Sequence, residues 1–440
     1  MKRLLLVLLA FSVGAAVAGV AQKRTPAKPI AAGYKLTALK ATGPKRYTEK
    51  EILAATGLQL GQNAAEGDFK EGAQRLGDSG MFSDVAYTFS YSDTGSKVEF
   101  QLADIDKTKL VPAHFENFVW FTDAELLAAL KQRVPLFQDL VPLAGRLPDR
   151  ISEALQALLS EKHYPGRVDF LREGQQEGGD FKSVVYKAEE VSIHIRNVEF
   201  PGASPEQAAF LASAASRLTD AEYIRSSLEA VARHDFVPLL LQRGYLKAFF
   251  GPSDARVVPS ADNSTPTDIE VDALLPVSPG KQYMVSGVDW KGTSSLPKAD
   301  VSSLFHLTAG QPADAVKLAR DCERLTAVYR SRGYMTAQVK PGPLMDDDKG
   351  TVHYYINVIE GDIYKMGELE ILGLDTPSHD RLREAWKLRE DQPYNPEYTK
   401  KFLDDAGPLL PRGAQYSIKI SEELDAKTKT VDVTIHYKMQ

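Results

Sequence analysis

A serine in a Gly-Asp-Ser-Gly stretch is the first residue of this sequence that could do chemistry. The stretch covers 77–80, and the serine is Ser79. A serine acts as a nucleophile only when a general base and an orienting acid are within reach. His114, the nearest histidine in sequence, falls near a predicted strand of a different repeat. Gly80 falls at a predicted helix end, which favours a structural role for Ser79. We predict no catalytic residue and do not expect an enzyme.

The carboxylate, imidazole and thiol groups lack the spacing of a metal site. The aspartates at 346–348 are consecutive, whereas a calcium loop spaces its ligands at alternate positions and ends in a glutamate. The eight histidines are scattered, without the HExxH spacing of zinc enzymes. Cys322 is the single cysteine and cannot form an internal disulfide. No glycine-rich phosphate loop occurs, so we predict no metal and no cofactor.

The charge pattern argues against two classes of partner. The chain has 53 Lys and Arg against 59 Asp and Glu, a net charge of −6, and the two signs are interspersed. A mildly acidic chain of this kind is not suited to binding nucleic acid or an anionic membrane surface. We therefore expect no nucleic-acid partner.

The first residues have the order of a secretory signal peptide. Two basic residues precede an uncharged apolar run over 4–20, with small residues for cleavage at Ala18 or Ala21. The alternative interpretation is a membrane anchor, because the run is near the lower length limit for a span. We predict a signal peptide over 1–21 and a linker over 22–33. After signal removal we expect no transmembrane segment.

The rest of the sequence is periodic. Segments 279–292 and 360–373 align without a gap, and the matching residues are Gly280 with Gly361, Tyr283 with Tyr364 and Gly292 with Gly373. Both contain an apolar–polar–apolar stretch closed by glycine, which predicts a half-buried strand that enters a turn.

A second landmark ends a helical stretch in each repeat and gives the count. It falls at positions 80, 163, 244, 333 and 413, in steps of 83, 81, 89 and 80 residues. At four of these positions the residue is glycine, which provides the left-handed backbone that ends a helix. We predict five repeats and a positive φ at Gly333.

The fourth repeat shows the order of elements within one module. Helical patterns cover 297–307 and 313–332, and strand patterns cover 335–340 and 352–359, with a polar hairpin tip at 346–350. The order is strand–helix–helix–strand–strand. The second repeat is divergent, with a first strand predicted over 112–119 and a helix over 151–159.

This succession resembles the POTRA (polypeptide-transport-associated) domain of outer-membrane assembly (Bam-type) proteins. The residues that carry the resemblance are Arg332-Gly333-Tyr334, Val358-Ile359-Glu360-Gly361 and the strand 366–373 that ends in glycine. The resemblance implies an α+β fold, an elongated tandem array of about five POTRA modules of the order β-α-α-β-β. We place the modules at 34–105, 109–191 (divergent), 192–280, 281–362 and 363–440.

The resemblance also implies a function. POTRA arrays act in the periplasm at the outer membrane, so the expected partners are unfolded outer-membrane or secreted polypeptides, with a membrane β-barrel protein as a further partner. Family members normally continue into a barrel, whereas this sequence stops at a strand pattern over 431–438, so we expect the recognition arm alone. The alternative is a purely structural connector between a membrane β-barrel and other periplasmic components.

Client binding is predicted by β-strand augmentation along the strand that directly follows each helix-end landmark. In the POTRA fold that strand lies at the sheet edge, where its backbone groups are open to an added strand. Phe249 and Phe250 point to opposite faces, so one of them should be partly exposed. The predicted binding residues are Lys247, Ala248, Phe249 and Phe250 in the third module and Thr336, Ala337, Gln338 and Val339 in the fourth.

Overall fold

A computed structural model describes residues 5–7, 33–174, 181–259, 267–411 and 413–439. The predicted signal peptide, apart from its three described residues, lies outside this part of the chain, as does the predicted linker apart from its last residue. The described chain forms two compact units. The first comprises the residues up to Ala230 together with Gly251–Pro276, and the second comprises Val231–Phe250 together with the residues from Val277 onward.

The first set of elements belongs to the first unit. Helix α1 begins with a capping box, in which Thr48 and Glu51 satisfy each other's backbone N–H groups. Phe69 and Phe100 are fully buried between the helices and the sheet. The sheet order is β1-β4-β5-β2-β3. The elements are β1 (Leu5–Val7), β2 (Tyr34–Thr42), α1 (Glu49–Thr56), β3 (Asn63–Ala64), α2 (Glu66–Asp78), β4 (Phe82–Ser92) and β5 (Gly95–Asp104).

The second set, also in the first unit, has the sheet order β7-β6-β9-β8. Its first strand ends at Phe115, so the predicted extent of 112–119 is wrong. The Asn117 side chain bonds both the N–H and the C=O of Ala188, at 2.8 and 2.9 Å, and so replaces the backbone ladder there. The elements are β6 (Leu110–Phe115), α3 (Asp123–Arg133), β7 (Leu140–Pro142), α4 (Leu147–Glu161), β8 (Arg167–Gly174) and β9 (Phe181–Glu189).

The third set is divided between the two units. Its main sheet, of order β10-β13-β12, belongs to the first unit, and a two-stranded sheet of β11 and β14 belongs to the second. The elements are β10 (Ser192–Glu199), α5 (Pro205–Ala215), α6 (Arg225–Val231), α7 (Val237–Leu241), β11 (Phe249–Phe250), β12 (Asp254–Val257), β13 (Asp268–Leu274) and β14 (Val277–Ser278).

The fourth set lies in the second unit and has the sheet order β15-β17-β16. Helix α9 buries residues at helical spacing against the sheet: Leu318, Cys322, Leu325 and Tyr329. The predicted hairpin tip is confirmed as the turn between the last two strands. The elements are β15 (Met284–Lys291), α8 (Lys298–Ser303), α9 (Ala315–Ser331), β16 (Gln338–Asp346) and β17 (Thr351–Ile359).

The fifth set completes the second unit with the sheet order β18-β20-β19. Trp386 packs against the Tyr398 and Phe402 rings, at centroid distances of 5.0 and 4.9 Å, which joins its two helices. The elements are β18 (Lys365–Leu372), α10 (Thr376–Ala385), α11 (Pro396–Asp405), β19 (Tyr416–Asp425) and β20 (Thr430–Met439).

One topology recurs in the described sets and confirms an α+β fold. In the five sets one early strand runs parallel to a later strand: β2 to β5, β6 to β9, β10 to β13, β15 to β17 and β18 to β20. The later strand of each pair also pairs antiparallel with the strand before it. The later strand is therefore central, and the strand before it lies at the outer side of the sheet, where β4 alone among the described sheets is paired, with β1. We call that strand the edge strand: β4, β8, β12, β16 and β19.

The same backbone joint occurs twice in the second unit. The Tyr283 N–H donates to the Gly244 carbonyl at 2.8 Å, and the Tyr364 N–H donates to the Gly333 carbonyl at 2.7 Å. Both glycines are helix-end landmarks with positive φ, of 84° and 92°, which confirms the predicted conformation of Gly333. A landmark glycine in this unit thus ends one helix and holds the start of the next sheet.

Candidate strand-edge binding site

Two of the residues considered for chemistry, Ser79 and Asp347, form hydrogen bonds with neighbouring groups of the fold. Ser79 is fully buried at the end of α2, where its hydroxyl donates to the Leu76 carbonyl at 2.5 Å and accepts from the Met81 N–H at 3.2 Å. Asp347 accepts hydrogen bonds from the Tyr283 hydroxyl at 2.6 Å and from Lys247 at 2.7 Å. Within the described ranges, no three His, Cys, Asp or Glu side chains are grouped to hold a metal ion.

The predicted strand in the third set begins later than the sequence indicated. Lys247 lies in a turn and Ala248 outside any strand, because the Ala248 N–H donates back to the Tyr245 carbonyl at 3.1 Å. Only Phe249–Phe250 form a strand, and it pairs with Val277–Ser278. The strand assignment of Lys247 and Ala248 is therefore wrong.

As expected, one of the two phenylalanine side chains is exposed and the other packs against a buried ring, although neither residue lies on the edge strand. Phe249 is 60 % exposed, whereas the Phe250 ring lies 6.1 Å from the ring of the buried Phe236. The edge strand of the third main sheet is instead β12, which is only four residues long. Sequence reasoning missed it, because the phenylalanine pair gave the stronger strand pattern.

In the fourth set the predicted residues are divided between a turn and the edge strand. The Ala337 N–H donates to the Tyr334 carbonyl at 3.0 Å, so Thr336 and Ala337 precede the strand and their assignment to it is wrong. Gln338 and Val339 begin β16, at the edge of the sheet as predicted.

The free side of β16 is partly closed by proline. Pro341 pairs with Ile356 and Pro343 with Tyr354 in the antiparallel ladder to β17. Proline has no N–H and is accommodated in a sheet only where that group would face away from the neighbouring strand. Two donors are therefore absent from the free side of β16, where a client strand would bind.

The edge strand β19 has no such protection. It contains no proline, and nine of its ten residues are exposed. Ile418, Ile420 and Leu424 are 41, 41 and 43 % exposed, although they point to the core side of the sheet. Their partners on β20 are buried core residues: Tyr437, Ile435 and Val431. β19 thus offers both free backbone groups and a row of uncovered apolar side chains.

Strand addition at an edge strand is present in the first unit. Leu5–Val7, within the predicted signal peptide, pairs antiparallel with β4, and Leu6 lies opposite Thr88. The added strand lies on the side of β4 that faces away from β5. The free side of an edge strand can therefore take a short apolar segment in ladder register.

An acidic residue closes the end of the fourth sheet. Glu360 accepts hydrogen bonds from the Ser294 hydroxyl at 2.5 Å, from the Ser295 N–H and hydroxyl at 2.9 Å, and from the Tyr329 hydroxyl at 3.0 Å. Partial burial opposes ionisation of this carboxyl, but the hydrogen bonds outweigh it and lower its pKa from 4.5 to about 2. The glutamate holds the loop after β15 against α9 and the end of β17.

Comparison with known proteins identifies the fourth set. Residues 283–361 match the sequence profile of the POTRA family, described as a surface antigen variable number repeat. This span contains Tyr283 of the joint, all of β15–β17 with their two helices, and Glu360. Residues 283–361 form a POTRA domain.

Solved structures of POTRA proteins are similar to this chain at low identity. POTRA3-5 of Haemophilus influenzae BamA is 19 % identical, with a TM-score of 0.43, and the match covers 56 % of this chain and 96 % of that one. POTRA1-3 of the periplasmic domain of Anabaena Omp85 is 17 % identical, with a TM-score of 0.25 and coverages of 56 and 95 %. Escherichia coli CdiB is 18 % identical, with a TM-score of 0.20 and coverages of 48 and 35 %.

Helices in the described ranges are too short or too polar to cross a membrane.

Proposed function

We propose that this protein is a periplasmic scaffold of the outer-membrane assembly type. In this proposal it holds unfolded outer-membrane or secreted polypeptides by adding their extended segments to its edge strands. The observation that carries the proposal is the free side of β19, which has no proline and an uncovered apolar row. The POTRA match at 283–361 and the periplasmic Omp85 domain among the similar structures support the compartment.

The physical basis is backbone recognition. An extended segment added to an edge strand forms main-chain hydrogen bonds that do not depend on its sequence. A client with alternating apolar residues would also cover Ile418, Ile420 and Leu424, at roughly 25 cal/mol per Å² of apolar surface buried. Several weak edges on one chain raise the effective concentration for the second contact once the first has formed.

The division into five modules is part of this proposal. The recurrent strand order supports modules at 34–105, 109–191, 192–280, 281–362 and 363–440. Limited proteolysis tests it: early cuts should fall near the proposed boundaries, whereas early cuts within α4 or α9 would contradict it.

A second candidate function is a connector between a membrane β-barrel and other periplasmic components, without client contact. The repeated glycine–tyrosine joint favours it, because a fixed joint suits a spacer. The prolines of β16 also favour it, because they oppose strand addition in the POTRA domain.

Photocrosslinking separates the two functions with a matched pair of lysines. Lys419 on β19 and Lys340 on β16 are both exposed residues of an edge strand. Each is replaced by benzoylphenylalanine, and the full chain is irradiated with an unfolded outer-membrane barrel protein diluted from urea. The scaffold proposal predicts a strong crosslink from position 419 and a weak one from position 340. Crosslinks at the background level from both positions would favour the connector.

A further inference from the structure

An open pocket lies on the helical side of the POTRA domain, with a volume of about 450 Å³. Such a volume is within the range of roughly 300–1,000 Å³ that is usual for ligand pockets. Three segments of the second unit contribute to it: the end of the helical stretch that contains α7, the loop between α8 and α9, and the first half of α9. The lining residues with polar groups are Gln242, His306, Asp314, Lys317, Arg320 and Arg324.

Three cations of the pocket lie on one face of α9. Lys317, Arg320 and Arg324 are spaced by three and four residues, which places them along the same side of a helix. All three are exposed. Among the residues that the structure describes, the Lys317 and Arg320 side chains have no ion pair. The whole chain has a net charge of −6, so this cluster is a local reversal of sign.

The third cation is held by a buried acid. Asp321 is fully buried, forms an ion pair with Arg324, and accepts a hydrogen bond from the His306 N–H at 2.8 Å. A buried carboxylate is costly unless it is paired and hydrogen-bonded, so this arrangement fixes His306 and Arg324 at one side of the pocket. Lys317 and Arg320 are left as the lining cations that form no ion pair within the described ranges.

The lining also contains a carboxylate and an amide, which can accept hydrogen bonds. Asp314 caps α9 by accepting from the Lys317 N–H at 2.8 Å, and its carboxylate lies at the pocket wall. Gln242 adds an amide, which can both donate and accept. A phosphate group would be repelled by Asp314, whereas a peptide presents carboxylates beside N–H donors. The mixed lining therefore fits an acidic peptide better than a phosphate.

We propose that this pocket binds an acidic segment of a partner polypeptide, with two carboxylates of the segment on Lys317 and Arg320 and a neighbouring N–H group on Asp314. The site is distinct from the edge strands and does not require strand addition. The edge strand of the POTRA domain contains two prolines, and this pocket would give the domain a second surface, which recognises the charge of a partner's side chains.

Fluorescence anisotropy of the full chain tests the proposal. The probe is a fluorescein-labelled eight-residue peptide of alternating glutamate and glycine, and the control peptide has glutamine in place of glutamate. The paired substitution Lys317→Gln and Arg320→Gln should weaken binding of the acidic peptide roughly tenfold. Arg330→Gln, on the same helix but outside the lining, should change it by less than about twofold.

Two further measurements decide the chemistry. Raising NaCl from about 50 to about 300 mM should weaken binding of the acidic peptide, because these charges are exposed and are screened. Inorganic phosphate at the same ionic strength should displace the peptide no better than chloride. Specific displacement by phosphate would overturn the peptide assignment. Equal losses from the paired variant and from Arg330→Gln, or equal binding of both peptides, would overturn the site itself.

Discussion

The fourth and fifth sets have the same topology and differ in what their edges and ends can do. In the fourth, the free side of β16 contains two prolines, and the landmark Gly333 is bonded to the next set. In the fifth, β19 contains no proline, and a Cβ placed at Gly413 would meet nothing within 4 Å. One repeated topology therefore has an edge strand with two prolines in the fourth set and an edge strand without proline in the fifth. The sequence signature alone does not distinguish these two edge strands.

The two landmark glycines show the physical difference most directly. Both have positive φ, +92° at Gly333 and +78° at Gly413. A Cβ at Gly333 would lie 2.8 Å from the Tyr364 carbonyl oxygen and 3.1 Å from the Pro393 Cβ. A side chain at position 333 thus has a steric cost in addition to the backbone cost, whereas one at position 413 has the backbone cost alone.

The largest expected effect is that of Gly333→Val. We expect it to lower the free energy of opening of its set by about 2–4 kcal/mol, from left-handed backbone strain and from the clash with the joint. Gly413→Val should cost only about 1–2 kcal/mol in its own set. Hydrogen–deuterium exchange of α9 measures the loss of stability in the fourth set, and exchange of α11 measures the loss in the fifth. Equal losses would show that the joint does not restrict position 333.

The carboxylate cluster of the fourth set gives the second comparison. Glu360→Gln should destabilise that set by about 1–2 kcal/mol, because hydrogen bonds from three residues lose their charged acceptor. Glu422 of β19 accepts one described hydrogen bond, from the Tyr394 hydroxyl at 2.6 Å, so Glu422→Gln should cost less. Amide exchange of β17 and β20 provides the readout. A larger loss from Glu422→Gln would reverse the expected order.

The open edge should be sensitive to proline. We expect the N–H of position 420 to face the free side of β19, as positions 341 and 343 face the free side of β16. Ile420→Pro removes this N–H and should weaken binding of a nine-residue peptide of alternating valine and threonine roughly tenfold. Ile420→Val, the control, keeps the N–H and should bind within about twofold. Fluorescence anisotropy with the labelled peptide gives both affinities. Unchanged affinity in a folded Ile420→Pro variant would exclude β19 as the acceptor.

The fourth set should lose stability in acid in a defined range. Its Glu360 has a pKa lowered from 4.5 to about 2, so the ionised form stabilises the folded state above about pH 4.5. This contribution is lost as the pH falls from about 4.5 to about 2. The difference in stability between the parent and Glu360→Gln should therefore shrink across that range. A constant difference, measured by amide exchange at several pH values, would contradict the lowered pKa.

The smallest expected effect is a gain. Pro341→Val together with Pro343→Val restores two donors to the free side of β16 and should raise its affinity for the valine–threonine peptide about two- to fivefold. Lys340→Val, directly before Pro341, is the control, because it changes the side chain and adds no donor. A gain from the control as large as that of the paired variant would indicate hydrophobicity as the cause.

The sequence alone determined the repeat and the order of its elements. Glycine recurs at four of the five landmark positions because few residues adopt the left-handed backbone, and this requirement is local. The same applies to the polar hairpin tip at 346–350 and to the buried face of α9, which follow from turn chemistry and from helical spacing. The placement at the sheet edge of the strand that follows each landmark came from the family resemblance. The sheets of the second, fourth and fifth sets confirm it, whereas in the third set that strand pairs with β14 outside the main sheet.

Only the tertiary structure decided where each edge strand begins and which edge is open. The turns that end at Ala248 and Ala337 compete with strand formation through a backbone hydrogen bond, which the apolar pattern does not report. Burial of the row that contains Ile420 depends on whether helices cover that side of the sheet. Glu360 and Ser294 are 66 residues apart, and only folding brings them together. Alternation along a strand shows which face a side chain takes, whereas coverage and long-range partners depend on packing.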